Sequence, residues 1–198
     1  MKDSSSTTVF RWLVIVSSLG LAACGAPNRY LLDMTDTMGV ASGQSDFQRI
    51  GLQEVTLPDY ARGEKIASLQ AGSTILQDDK NRWAESPEDA VARNLAAAIG
   101  KGLSAVVLVE PYPRGLDPDL QIEVRFDRFV RDQSAGVASL SGQFIVSSGD
   151  GRRVVHIASF AGNYRLASDD YAGFVEALKG GLAELANTIN QAAASLEL

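Results

Sequence analysis

Residues 120–160 read LQIEVRFDRFVRDQSAGVASLSGQFIVSSGDGRRVVHIASF and contain the clearest secondary-structure pattern in the chain. Apolar and polar residues alternate along residues 120–127 and again along residues 138–146, which is the pattern of strands with one buried face. The turn sequence Ser148-Gly149-Asp150-Gly151 then leads into a third run, residues 154–160. This stretch therefore predicts three consecutive antiparallel strands joined as a meander.

Further strands and two helices are predicted on either side of the meander. The residues Ser86-Pro87-Glu88-Asp89 are typical of a helix start, and Gly100 or Gly102 is predicted to end that helix. A second helix is predicted after Ser168, with an apolar stripe over residues 171–196 at steps of three and four. The other predicted strands are residues 50–57 with one break typical of a β-bulge, 65–70, 73–77, and 104–109, an apolar run suited to burial on both faces.

Together these elements predict one α+β domain. Its expected architecture is a single, mostly antiparallel mixed sheet with a three-strand C-terminal meander and two helices packed on one face. Gly180-Gly181 interrupts the second helix, and each glycine there costs about 1 kcal/mol relative to alanine. We therefore expect a close packing partner at this pair of glycines.

The composition excludes several classes of function. The chain has 198 residues, of which 45% are apolar and 21% are charged, a mixture typical of globular domains and not of disordered chains. Its formal net charge of −6 argues against a nucleic-acid-binding face. A single cysteine excludes an internal disulfide, and with only one histidine in the chain it also argues against a zinc site.

The N-terminal segment has the features of an export signal. Lys2 and Arg11 precede an apolar run, residues 12–23, which at about a dozen residues is too short to span a bilayer. A positively charged start, a short apolar core and small residues before a cut site are typical of a secretory signal peptide. The run ends in Leu21-Ala22-Ala23-Cys24-Gly25, which resembles a bacterial lipobox.

The lipobox resemblance implies that Cys24 is lipidated. In such signals the cysteine thiol receives a diacylglycerol, the leader is cut off before it, and the new amine is acylated with a fatty acid such as palmitate. Several acyl chains anchor a protein stably, whereas one binds a membrane only marginally. Gly25 stands where an aspartate would resemble an inner-membrane retention signal, so the expected location is the periplasmic face of the outer membrane. The alternative is an ordinary signal peptide with a chance cysteine.

Three regions are expected along the chain. They are a lipoprotein signal peptide at residues 1–23, an acylated N-terminus and flexible tether at 24–46, and the folded domain at 47–198. Small and polar residues dominate the tether, and residues 33–46 are predicted to be a flexible linker. The apolar patch Tyr30-Leu31-Leu32 is interpreted either as a short edge strand or as a segment near the membrane.

No catalytic arrangement of residues stands out. His156, the only histidine, lies within a predicted strand, and the chain has no nucleophile-elbow motif. Gly100-Lys101-Gly102-Leu103-Ser104 lacks the spacing of a phosphate-binding loop and follows a helix instead of opening one, so it is interpreted as a helix C-cap. We therefore predict that the protein is not an enzyme and needs no cofactor.

The charged residues also have ordinary structural interpretations. The acids Asp78-Asp79 and Asp117/Asp119 are expected at turns, where aspartate commonly accepts backbone hydrogen bonds, and no metal site is predicted from them. Arg125, Arg128 and Arg131 lie near the acids Glu123, Asp127 and Asp132, and all are expected on a solvated sheet face of mixed charge.

Several segments, in this order and spacing, resemble one protein family. They follow the lipobox and are Arg29-Tyr30-Leu31-Leu32, Val55-Thr56-Leu57-Pro58-Asp59-Tyr60, Arg82-Trp83-Ala84-Glu85 and Tyr171-Ala172-Gly173-Phe174-Val175-Glu176-Ala177-Leu178. The family is the ABC-type transport auxiliary lipoprotein component family, the PqiC-like lipoproteins. Residues 60–66 depart from its pattern, which has a larger apolar residue after the tyrosine and places the arginine one position later. No role is therefore carried over to that loop.

The resemblance implies a non-catalytic accessory subunit of an MCE-type lipid transport system. Its implied partners are an MCE-domain protein with its ABC permease and ATPase, the membrane through the N-terminal anchor, and phospholipid as a candidate ligand. Self-association into a homo-oligomer stays open, and no nucleic acid is expected. The alternatives are a structural or assembly lipoprotein of another cell-envelope complex and a periplasmic hydrolase whose residues are not recognised.

Two aromatic residues are candidate contacts with a partner or a lipid. Tyr60 is either an exposed aromatic anchor or a strand-end residue packed on its own loop. Trp83 precedes a helix N-cap, which favours a hydrophobic staple, with lipid or partner contact as the alternative. The terminal-helix stripe is interpreted as core and not as a lipid groove.

Overall fold

The computed structural model describes residues 26–35, 46–71, 73–113 and 115–196. In this part of the chain, eight strands form one sheet and two α-helices accompany it. In chain order the elements are β1 (Asn28–Tyr30), β2 (Arg49–Thr56), β3 (Lys65–Leu69), β4 (Ile75–Trp83), α1 (Pro87–Leu103), β5 (Val106–Val109), β6 (Leu120–Asp132), β7 (Val137–Ser148), β8 (Val154–Arg165) and α2 (Tyr171–Ala194).

Strand β6 is the centre of the sheet. It pairs antiparallel with β7 along its whole length, and β7 pairs antiparallel with β8, so the predicted meander is confirmed. On its other edge β6 pairs parallel with β2 over residues 120–125 and with β3 at Arg131 and Asp132. Strand β5 extends the sheet beyond β2, and β4 and then β1 extend it beyond β3. The α+β class and the mixed sheet are therefore confirmed.

Both helices contribute their apolar stripes to a single hydrophobic core. Helix α1 packs on β2 and β5, α2 packs on β7 and β8, and the two helices contact each other. Ser86 accepts a hydrogen bond from the backbone N–H of Asp89, and Asp170 accepts one from Gly173, so each helix has a side-chain N-cap. The stripe of α2, including Phe174, Leu178, Leu182 and Ile189, is core, as predicted.

Three predictions about individual elements differ from the structure. Helix α1 continues through Gly100 and Gly102 and ends at Leu103, because Ser104 adopts the left-handed conformation (φ 54°) and lets the Ala105 N–H bond the Gly100 carbonyl. Strand β5 is an edge strand with Val106 and Val109 exposed, so burial on both faces is wrong. Strand β4 continues to residue 83, which places Asp78-Asp79 within a strand and not at a turn.

The segment before β2 is partly packed on the domain, contrary to the flexible linker predicted from residue 33. Residues 28–30 form β1 beside β4, so of the apolar patch interpreted as an edge strand only Tyr30 lies in a strand, and Leu32 and Met34 are buried. Buried Asn94 on α1 binds their backbone, because its side chain donates to the Leu32 carbonyl and accepts from the Met34 N–H, at 2.7 and 2.8 Å. Residues 36–45 of the predicted tether lie outside the described residues.

The two glycines in α2 have different surroundings. A Cβ atom on Gly181 would lie 2.6 Å from Leu140 Cδ1 and 2.6 Å from Tyr164 Cε2, so the predicted close packing partner is present here. A Cβ on exposed Gly180 would meet nothing within 4 Å, so the prediction is wrong for this position. Only Gly181 therefore allows α2 to approach the sheet.

This difference predicts opposite effects of two alanine substitutions. Gly180→Ala is expected to raise the free energy of unfolding by up to about 1 kcal/mol through helix propensity. Gly181→Ala is expected to lower it despite the same gain, because overpacking of a filled core costs about 1–3 kcal/mol. Urea unfolding followed by circular dichroism measures both variants. Equal stabilisation by the two substitutions would contradict the packing described here.

Candidate functional site

The predicted lipid attachment point lies just before the folded domain. Cys24 is outside the described residues, and β1 begins only four positions later, at Asn28. An extended chain covers at most about 3.6 Å per residue, so the Cα atoms of Cys24 and Asn28 are within about 14 Å of each other. Whatever is attached to Cys24 therefore stays close to β1.

Strand β1 is tied to β4 and to the start of α2. The Tyr30 hydroxyl donates to Asn81 Oδ1 at 3.1 Å, and the Asn28 amide donates to the same oxygen at 3.3 Å. The rings of Tyr30 and Tyr171 lie 5.9 Å apart. The next residue, Leu31, is 53% exposed. The elements beside β1 are thus neighbours of the strand that follows Cys24 in the chain.

A groove of about 780 Å³ lies between β4 and the N-terminal end of α2. We call it the Arg131 groove. Strand β4 and the start of α2 form its walls, with Ser68 of β3 and Arg131 of β6 also in its lining. The other lining residues that matter below are Leu76, Asp78, Asp79, Lys80, Asp169, Asp170 and Tyr171.

Arg131 is a buried cation, contrary to the prediction of a solvated arginine. Its side chain is only 6% exposed, whereas those of Arg125 and Arg128 are 71% and 42% exposed, as expected for the solvated face. A bulge between Phe126 and Arg128 shifts the alternation of β6 by one residue, which turns Phe129 and Arg131 inward. Phe126 and Phe129 are both buried although they are three residues apart, whereas a regular strand buries every second residue. This spacing was the sequence sign of the bulge.

The guanidinium of Arg131 is only partly satisfied. Its Nη2 donates to Asp169 Oδ1 at 2.5 Å, and its Cζ lies 5.2 Å from the centre of the Tyr171 ring. Its buried Nε has no hydrogen-bond partner among the described residues. The hydroxyl of Ser68, a residue only 3% exposed, is also unpaired in this part of the chain. Most buried polar groups in proteins are paired, so two unpaired groups in one groove are unusual.

Two acids at the groove are held by neutral donors. Asp78 accepts from the Lys80 N–H and the Asn81 amide, and these bonds lower the pKa of its carboxyl. The Ser168 hydroxyl and the Gly173 N–H likewise lower the pKa of Asp170. Neither carboxylate forms a salt bridge with another described residue, and the charges of Lys80 and Arg131 add smaller effects that also lower the pKa of Asp78 and of Asp170, respectively.

Tyr60, a predicted contact candidate, has a structural role at β6. Pairing of β6 with β2 ends at Arg125, and pairing with β3 begins at Arg131. Between them the Phe129 N–H donates to the Tyr60 hydroxyl at 3.2 Å. Tyr60 is half-buried and packs against the core, so this arrangement favours the packed alternative. A contact between Tyr60 and a partner stays a prediction.

Replacing Tyr60 with phenylalanine is expected to lower stability by about 1 kcal/mol, because the Phe129 N–H loses its acceptor. The free energy of unfolding in urea measures the effect. Tyr112→Phe is the matched control, since the half-buried Tyr112 hydroxyl makes no hydrogen bond with the residues that the structure describes. A Tyr60→Phe protein with unchanged stability but weakened partner binding would instead support the interface alternative.

Trp83, the second contact candidate, is a core residue. It ends β4, is only 3% exposed, and its ring lies 6.3 Å from that of Phe174 on α2. A partner or lipid does not reach a side chain buried to this degree without a rearrangement. The structure therefore places Trp83 in the domain core and not on a contact surface.

The other residues considered for catalysis or metal binding have ordinary structural roles. His156 lies within β8 with its ring stacked 5.7 Å from Phe144. Asp119 accepts from the N–H groups of Gln48 and Arg49, as predicted for a turn aspartate. In the described part of the chain, no three His, Cys, Asp or Glu side chains are placed to hold a metal ion. No helix in that part is long and apolar enough to cross a membrane.

Comparison with known proteins identifies the family. A family model described as the ABC-type transport auxiliary lipoprotein component matches residues 30–190. The chain belongs to this family. The match begins at Tyr30, the last residue of β1, and ends at Asn190 within α2, so it spans β2 to β8, α1 and most of α2. It also includes the residues that line the Arg131 groove and the buried segment around Leu32.

Solved structures share the fold of this auxiliary lipoprotein at low sequence identity. An uncharacterized protein is 18% identical with a TM-score of 0.68, over 85% of this chain and 99% of that chain. A DUF330 protein from Xanthomonas campestris is 13% identical with a TM-score of 0.61, over 86% of this chain and 94% of that chain. These similarities establish the fold alone. No curated protein matches the sequence.

Proposed function

We propose that this chain is a non-catalytic subunit of an MCE/ABC-type intermembrane lipid transport system. It is anchored through an acylated Cys24 at the periplasmic face of the outer membrane, where it docks the other components or hands over lipid. The observation that carries this proposal is the family match over residues 30–190, whose description names an auxiliary lipoprotein component of ABC-type transport.

The geometry around β1 supports a role at a membrane surface. Cys24 is within about 14 Å of β1, so the acyl chains would hold the edge of the sheet near the lipid. The segment beside that edge carries the exposed Leu31, and the Arg131 groove lies next to it. The features near the anchor are thus suited to contact and binding.

Purification of the tagged, full-length protein from membranes tests the proposal. Mass spectrometry of the proteins that accompany it is expected to identify an MCE-domain protein, with its ABC permease or ATPase. Recovery of only cell-wall, secretion or other envelope components would instead support a structural or assembly lipoprotein. The hydrolase alternative is tested separately, because it requires that His156→Gln or Asp119→Asn abolish function.

A further inference from the structure

The Arg131 groove has the chemistry to bind a headgroup with both a phosphate and an ammonium. Its cationic element is the guanidinium of Arg131, of which Asp169 engages only Nη2. The neighbouring Nε is unpaired, and arginine commonly binds two phosphate or carboxylate oxygens at once. The Asp169 side chain is 78% exposed and can therefore move aside into solvent while a phosphate takes its place.

The unpaired hydroxyl of Ser68 is a second donor for the same phosphate. Ser68 lies directly opposite Arg131 in the pairing of β3 with β6, and both residues line the groove. A phosphate that displaces Asp169 would therefore satisfy groups which the folded domain leaves unpaired.

The rest of the groove favours a positive charge. Four carboxylates and two cations line it: Asp78, Asp79, Asp169, Asp170, Arg131 and Lys80. Asp79 is paired with Lys65, whereas Asp78 and Asp170 have only neutral donors. A ligand with net negative charge is repelled by this excess of acids, but a zwitterion places its ammonium against Asp78 and Asp170 while its phosphate reaches Arg131.

The position of the groove indicates the source of such a ligand. The groove borders β4, which pairs with β1, and β1 lies within about 14 Å of Cys24. Leu76, on the groove wall, is 45% exposed and offers an apolar surface for the start of an acyl chain. We propose that the Arg131 groove binds the phosphoethanolamine headgroup of a membrane phospholipid. This inference rests on the lipid-anchored location in the proposed function.

Native mass spectrometry of the mature, acylated protein in detergent tests the inference. The probes are dioleoyl phosphatidylethanolamine, dioleoyl phosphatidylglycerol and inorganic phosphate, each titrated separately. We expect one molecule of the ethanolamine lipid to bind, with at least roughly tenfold weaker binding of the glycerol lipid and of free phosphate. Equal binding of both lipids would overturn the zwitterion assignment, and equal binding of inorganic phosphate would make this a free-phosphate site.

Variants of the groove connect binding to its residues. Arg131→Met is expected to weaken binding of the ethanolamine lipid roughly tenfold or more, since a charged hydrogen bond is lost. The control is Arg125→Met, on the same strand but exposed, which is expected to bind as the wild type does. Asp78→Asn is expected to reduce the preference for the ethanolamine lipid over the glycerol lipid. Unchanged binding in Arg131→Met and unchanged preference in Asp78→Asn would overturn the proposal.

Ser68→Ala separates ligand binding from folding. Removal of a buried, unpaired hydroxyl is expected to leave the urea midpoint equal to or higher than that of the wild type. The same substitution is expected to weaken lipid binding severalfold, which a purely structural residue would not do. The proposed function fails separately, because lipid binding does not depend on which envelope proteins accompany the purified chain.

Discussion

Replacing Cys24 with serine is expected to abolish membrane attachment through lipid. Only a thiol forms the thioether to diacylglycerol, and cleavage at a lipobox follows that modification. The variant is therefore expected to keep its 23-residue leader and to lack the acyl chains that hold the mature protein at the membrane. Intact-protein mass spectrometry and membrane fractionation measure both effects.

The control for this substitution is Ser18→Ala, which lies in the same leader and leaves the cysteine in place. It is expected to be processed and fractionated as the wild type is. If the Cys24→Ser protein is cleaved normally, and if Cys24 of the wild type carries no lipid, the leader is an ordinary signal peptide. Such a result would remove the anchor from the proposed function and the membrane source from the proposed lipid site.

Replacing Trp83 with alanine is expected to destabilise the domain by about 3–5 kcal/mol, the range for removal of a large aromatic side chain from a core. Trp83 is 3% exposed and packs against Phe174, so its loss removes contacts between β4 and α2. Domains of ordinary size have a total stability of about 5–15 kcal/mol, so the variant is expected to be near unfolding at 37 °C. Urea unfolding followed by circular dichroism measures the change.

The matched control for Trp83 lies on the same strand. Leu76 is 45% exposed, and Leu76→Ala is expected to change the free energy of unfolding by less than about 0.5 kcal/mol. If Trp83→Ala were as stable as the wild type and instead lost partner binding, the residue would be a contact and not a core side chain. That result would contradict the packing of Trp83 against Phe174 described above.

The repetitive parts of the fold were predictable because they obey simple periodicities. The alternation in β6 and β7 and the three-to-four spacing in α2 each report a single buried face, and the structure has both. The exposed edge strand β5 was not predictable in this way. A short apolar run of four to six residues has the same sequence pattern in a strand covered on both faces and in an edge strand. The difference in burial depends on which elements pack around the strand in the fold.

The buried N-terminal segment was missed for a similar reason. Four of the seven residues at 28–34 are apolar, but they have no regular spacing, and the residue that binds their backbone, Asn94, is a polar residue on the otherwise apolar face of α1. A buried asparagine has no signature in a hydrophobicity pattern. Its two hydrogen bonds to the backbone of Leu32 and Met34 become visible only when residues about 60 positions apart are brought together by the fold.

The burial of the groove residues also could not be predicted from the sequence. In the sequence Arg131 is one of three arginines spaced three residues apart, and a single bulge in β6 turns it inward. Ser68 is an ordinary serine in a short strand until its pairing with β6 places it opposite Arg131. The lipobox, in contrast, is a local motif, so Cys24 could be proposed from residues 21–25 alone.

In-cell crosslinking tests the central claim most directly. A photoreactive amino acid is placed at exposed Leu31, beside β1, in the full-length protein, and the crosslinked partners are identified by mass spectrometry. The same label in the Cys24→Ser variant is the control, since it removes the acyl chains that place the mature protein at the outer membrane and leaves the sequence of the folded domain unchanged. Capture of an MCE-domain protein by the anchored form and its loss in the variant is the predicted result. Capture of only cell-wall or secretion components would contradict the transport function.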